Sequence, residues 1–156
     1  MNTLGLVLTQ LAAAVWVGAI VFQSFIVAPL VFRRLEPDPA QTFLRAIFPR
    51  FFRLGVACGS LMLAGLAAVF MADSSAGVPS WLFAAAAAMT AAAAWGLALI
   101  PGINAARDAG SAGAARFRRL HGLSVALTLL NLVLGISVLV ALTGGPPNVE
   151  LSAGLH

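Results

Sequence analysis

The sequence predicts an all-α polytopic membrane protein: a four-helix bundle of two antiparallel hairpins, with a short cytoplasmic amphipathic helix before the second span. Three observations carry that prediction. Hydrophobic residues make up 61% of the 156 and charged residues only 9%, and the mean hydropathy is +0.99, far from the composition of a soluble domain. Every formal charge falls in the breaks between four apolar runs, near residues 4–32, 55–72, 81–100 and 120–142, or in the tail after the last. The charged groups at those breaks are arginine-rich on one side of the membrane only, which is the pattern that orients a membrane chain.

The first run, residues 4–32, has no formal charge and as a helix would extend about 43 Å, longer than the ~30 Å hydrocarbon core it must cross. It lacks the basic start of a signal peptide and continues well past a signal peptide's apolar core, so it is expected to be retained. Pro29 removes one backbone donor near its inner end, and a bend is expected there. Arg33, Arg34, Glu36 and Asp38, interleaved with Pro37 and Pro39, form a polar break.

Residues 40–53 carry Arg45, Arg50 and Arg53 on one helical face and several phenylalanines, Phe48 among them, on the other. That is the pattern of a helix lying in the interface, arginines at the headgroups and aromatic rings in the acyl boundary. Pro49 is expected to end it and turn the chain into the second span. The second span opens with Gly55 and Gly59, a GxxxG pair that allows close helix approach in lipid. A short break containing Asp73 leads to the alanine-rich third span, expected in the interior of the bundle.

Pro101 begins a linker of small residues that includes Asn104, and Arg116, Arg118 and Arg119 precede the fourth span. The chain is thus one domain over residues 1–143, followed by a flexible tail, 144–156, that contains Glu150 and His156. With four spans, all nine arginines fall on one face. The positive-inside rule then places that face in the cytoplasm and both termini outside it; the expected location is a bacterial inner (cytoplasmic) membrane. The arginines are explained by orientation, so the lipid bilayer, not nucleic acid, is the expected partner. The small-residue faces also admit a homo-oligomer.

The polar residues within the spans carry any chemistry. His121, Ser124, Thr128, Asn131 and Gly135 recur at alternating intervals of three and four and form one seam of the fourth span. Polar groups facing hydrocarbon are costly, so this seam must face other helices or a wet cavity. One outcome is hydrogen bonding between helices; the other is a ligand site whose mouth is His121. Gln23 in the first span is a second polar point able to face the same seam.

Metal chemistry has weaker footing. Cys58 and Met62 stand four residues apart, a soft pair suited to Cu(I), and His121 is a further donor. Haem and copper are the cofactors to consider, but bis-histidine haem ligation needs a second histidine at membrane depth. No carboxylate is embedded in a span, which removes the usual paired-carboxylate chemistry and weakens the case for a proton-coupled transporter built on a carboxylate relay. No nucleophile motif, phosphate loop or dinucleotide fingerprint occurs.

Residues 29–33 (PLVFR), 47–52 (IFPRFF), 101–104 (PGIN) and 117–124 (FRRLHGLS) resemble the transmembrane protein 205-like family of small four-helix membrane proteins. The resemblance implies a four-span fold and marks Pro29, Phe48, Pro49, Asn104, His121, Gly122 and Ser124 as signature positions. It also suggests handling of a metal or a foreign small molecule. One departure is Thr128, where the family pattern carries an asparagine. A more distant similarity to the copper-resistance protein D group concerns architecture alone. The reading from sequence is therefore a non-enzymatic membrane protein that binds, or helps move, a small molecule or metal at a site of His121, Ser124, Thr128, Asn131, Gln23 and Asn104. A haem- or copper-dependent oxidoreductase and a ligand-free assembly partner are its alternatives.

Overall fold

The computed structural model describes residues 3–72 and 77–144. Asp73, Glu150 and His156 lie outside the described residues, as does the tail beyond Gly144. The elements in order are α1 (Thr3–Phe22), a π turn (Gln23–Val27), α2 (Ala28–Arg34), α3 (Pro37–Ala72), α4 (Ser80–Asp108), a 3-10 turn (Gly110–Gly113) and α5 (Ala114–Thr143). Counting α1, the π turn and α2 as one run, the described residues form four segments long and apolar enough to cross a membrane. Large apolar side chains such as Leu4, Phe25, Val133 and Val140 stay exposed around the outside, as lipid-facing groups would.

The helices pack as a ring in which α1 touches α3, α3 touches α4, α4 touches α5, and α5 closes back on α1. No helix occupies the centre. The alanine-rich α4, expected in the interior, is one wall among four: Ala85, Ala86, Ala92 and Ala93 are buried, while Ala84, Ala88 and Trp95 on its other face are exposed. A ring of four needs a core-facing stripe from each member, and alanine simply lets this one come close.

The breaks are shorter than the sequence suggests. Leu35 is extended, with φ −108° and ψ 141°, and α3 already begins at Pro37, where proline suits the first helical turn and Asp38 complements the positive helix end. Pro49, expected to divide an interfacial helix from the second span, lies inside a continuous 36-residue α3. A proline removes a single hydrogen bond, and neighbouring helices can hold the rest in place. Next to it, the Arg50 guanidinium donates to the Ala46 carbonyl at 2.5 Å. Residues 40–53 therefore form the first part of a rod about 54 Å long, and Phe51 and Phe52 turn into the core instead of the acyl boundary.

Likewise α4 runs on past Pro101 to Asp108, so the linker predicted from residue 101 is mostly helix. The reversal is confined to Ala109–Gly113 and uses Gly110 at φ +59°, a left-handed conformation in which a side chain would be strained.

The GxxxG pair is spent within the chain. A Cβ at Gly55 would collide with the Trp16 ring of α1, and one at Gly59 with Thr90 of α4, 3.1 Å from its Cα. Adjacent turns of α3 thus serve two different neighbours. Further along, a Cβ at Gly65 would sit 2.6 Å from the Gly5 carbonyl oxygen, so α1 and α3 meet almost backbone to backbone.

Candidate functional site

Where the arginines cluster, the ring opens into a cavity of about 550 Å³, within the ~300–1,000 Å³ range of small-molecule sites. Its walls follow helical periodicity on each element. From α4 come Ile100, Ile103, Asn104 and Arg107, spaced as one face of a helix. From α5 come Phe117, His121, Ser124 and Thr128, with Val125, Leu129 and Leu132 beside them. The first part of α3 contributes Leu44, Arg45, Phe48, Phe51 and Phe52, and the first segment contributes Ile20, Gln23, Ser24, Phe25, Ala28 and Phe32.

The cavity exists because α1 packs on α5 while the π turn and α2 do not approach it. The π turn is marked by the Ala28 N–H donating to the Gln23 carbonyl, five residues back. It sits directly before Pro29, whose ring would otherwise crowd the carbonyl of Phe25. Pro49 and Pro101 each follow a lining residue, Phe48 and Ile100. Sequence marked all three prolines, but nothing in it announced a π turn.

The predicted seam of α5 splits in two. His121, Ser124 and Thr128 face the cavity. Asn131, only 1% exposed, is committed to structure: its Oδ1 accepts from Trp16 Nε1 at 2.9 Å and its Nδ2 donates to the Leu127 carbonyl at 3.0 Å. Gly135 receives Val17 of α1, whose Cγ2 would lie 2.6 Å from a Cβ there. Gln23 and Asn104 do join His121, Ser124 and Thr128, so five of the six predicted polar-site residues line one space.

Their hydrogen bonding shows what the space offers. Thr128 Oγ1 donates to the Ser124 carbonyl at 3.0 Å, leaving its lone pairs free to accept. Gln23 is 7% exposed and its Nε2 has no acceptor; Arg45 Nε is the other buried side-chain atom without a partner among the described residues. Unsatisfied buried donors are uncommon and costly, and both belong to cavity-lining side chains.

Aromatic stacking organises the polar end. The His121 and Phe117 rings lie parallel, 4° apart in plane with centroids 5.5 Å apart, and the Arg107 guanidinium stands 4.6 Å from the Phe117 centroid, a cation–π distance. Arg45 forms an ion pair with Asp108 that ties the start of α3 to the end of α4. Arg45, Arg107 and Phe117 were not singled out as site residues. The hint in the sequence was the repeated arginine–phenylalanine neighbourhood in residues 45–53 and 116–119, which orientation alone explained.

Of the metal candidates, His121 lines this space, whereas Cys58 and Met62 stay apart from it. Cys58 and Met62 are buried in the core, and among the described residues no three His, Cys, Asp or Glu side chains gather as a metal site would require. Gly122, beside His121, has open space around it.

A helical bundle with membrane-length, lipid-facing helices and an amphipathic cavity at one end defines an integral membrane protein. More particularly, the chain belongs to the family described as Domain of unknown function (DUF4149), whose profile matches residues 11–112. That match covers most of α1 and all of the chain through α4, and stops short of α5. No curated protein and no solved structure matches the chain.

Proposed function

We propose that this protein is a non-enzymatic membrane protein that binds a small organic molecule in the cavity between the π turn, α3, α4 and α5. The supporting observation is convergence: Gln23, Asn104, His121, Ser124 and Thr128, drawn from three membrane segments, line one space of about 550 Å³. An apolar cavity with a few converging polar groups is the usual form of a ligand site. An organic molecule is favoured over a metal because the soft donors Cys58 and Met62 lie in the core, away from His121. The arginine distribution supports a cytoplasmic position for the cavity end, with both termini outside. The transmembrane protein 205-like resemblance belongs to the same reading.

The test is native mass spectrometry of the full chain released from mild detergent. A retained non-protein mass is expected in the wild type, lost in Thr128→Trp, which fills the cavity, and kept in Asn131→Ala, which does not touch it. Equal retention by the wild type and Thr128→Trp, both folded, would overturn the reading.

A further inference from the structure

We propose that the molecule bound in this cavity is an anionic single-chain amphiphile, a carboxylate or phosphate head on one aliphatic chain, which enters sideways from the bilayer between α2 and α5. This rests on the ligand-binding reading above and adds the chemical class and the route.

The head is defined by charge. Among the described residues, the lining holds two cations, Arg45 and Arg107, and no carboxylate. Asp108 engages one nitrogen of Arg45, while Arg45 Nε and Gln23 Nε2 are buried without acceptors. The Arg107 guanidinium lies over the Phe117 ring, 4.6 Å from its centroid, a cation–π contact that leaves its charge unneutralised by any carboxylate of the lining. The two unpartnered buried atoms are both donors, so the wall around Arg45 and Arg107 carries positive potential that a carboxylate or phosphate head complements. A neutral ligand would leave the paired positive charge of Arg45 and Arg107 balanced only by Asp108.

The chain is defined by the wall. Phe25 and Phe32 on one side, Val125 and Leu129 on the other, line the cavity and are also exposed on the outer surface, Phe25 at 71% and Phe32 at 67%. The two sides belong to elements that do not pack on each other. The cavity is therefore continuous with the lipid-facing surface through an apolar slot, and an aliphatic chain can pass there without meeting water. At the other end a smaller hollow, about 260 Å³, shares Phe32, Leu44 and Arg107 with the first and runs under the α2–α3 turn at Leu35 and Pro37. Arg107 stands where the two meet, a place for a polar head to remain hydrated.

The test uses the full chain in uncharged detergent micelles and measures retention of radiolabelled oleate. Binding is expected to be displaced by unlabelled oleate or by lysophosphatidate, and not by oleyl alcohol or octanoate at the same concentration. Whichever of the two anions displaces better identifies the head as carboxylate or phosphate. Arg107→Gln should weaken binding by about tenfold or more, the loss of one charge-assisted contact, and Val125→Trp should slow uptake by narrowing the slot. Displacement by oleyl alcohol as effective as by oleate, or Arg107→Gln binding like the wild type, would overturn the anionic class while leaving the cavity reading intact. No oleate binding by a protein that still retains a mass lost in Thr128→Trp would do the same. Loss of both signals would remove the cavity reading itself.

Discussion

The two ends of this bundle are built from the same helices under opposite rules. At one end, α1 is fastened to its neighbours: Gln10 Nε2 donates to the Leu142 carbonyl at 3.0 Å, Thr9 Oγ1 reaches the Met62 carbonyl of α3 at 3.5 Å, and Trp16 bridges to Asn131. Thr9, Trp16, Met62 and Met89 are fully buried there, and glycines bring backbones into near contact. At the other end the same first segment passes through a π turn, leaves α5, and borders an interior space, with the unsatisfied Gln23 Nε2 buried in its wall. A bundle in lipid gains nothing from burying apolar surface against itself, since hydrocarbon is available outside. Close fit and hydrogen bonds must then hold it, and the packed end supplies both, which lets the other end remain open.

That contrast can be broken most severely at Trp16, which fills the packed end, meets Phe51 at a centroid distance of 4.8 Å and donates to Asn131. Trp16→Ala should lower stability by about 3–5 kcal/mol, read as a shift in detergent-induced unfolding. Asn131→Ala should cost less, about 1–2 kcal/mol, because it strands the Trp16 N–H; ligand retention should be unchanged while the protein is folded. Gln23→Leu reverses the sign. Removing a buried donor with no acceptor should raise the stability of the ligand-free protein by about 1 kcal/mol and weaken ligand retention in the same assay. His121→Ala, limited to its stacking on Phe117, should change stability by no more than about 1 kcal/mol, and its effect should appear in binding. If the four variants instead moved stability and binding in proportion, the two ends would not be separate in function.

Much of this was legible in the sequence. The four spans follow from apolar length, and the polar seam of α5 follows from spacing that any helix must obey. Gln23 was identifiable because an amide in a charge-free run of that length needs a reason. What could not be read was depth. His121, Ser124, Thr128 and Asn131 share one face by periodicity, yet only packing against Trp16 decides that Asn131 closes the core while the others face a cavity. The prolines misled for a related reason: whether a missing hydrogen bond ends a helix depends on what holds the helix on either side. Pro49 and Pro101 are supported by neighbours, so α3 and α4 continue through them.

The π turn at Gln23–Val27 is one residue of slack stored in the first segment. Such slack can in general migrate along a helix by passing hydrogen bonds from residue to residue, since each shift exchanges one i−4 bond for one i−5 bond. Here it is held in register from below: were the wide turn to move away, the ring of Pro29 would press on the Phe25 carbonyl again. Proline thus acts less as a breaker than as a latch, fixing at one height the place where the wall bulges outward, and with it the position of Gln23 at the rim of the space it lines.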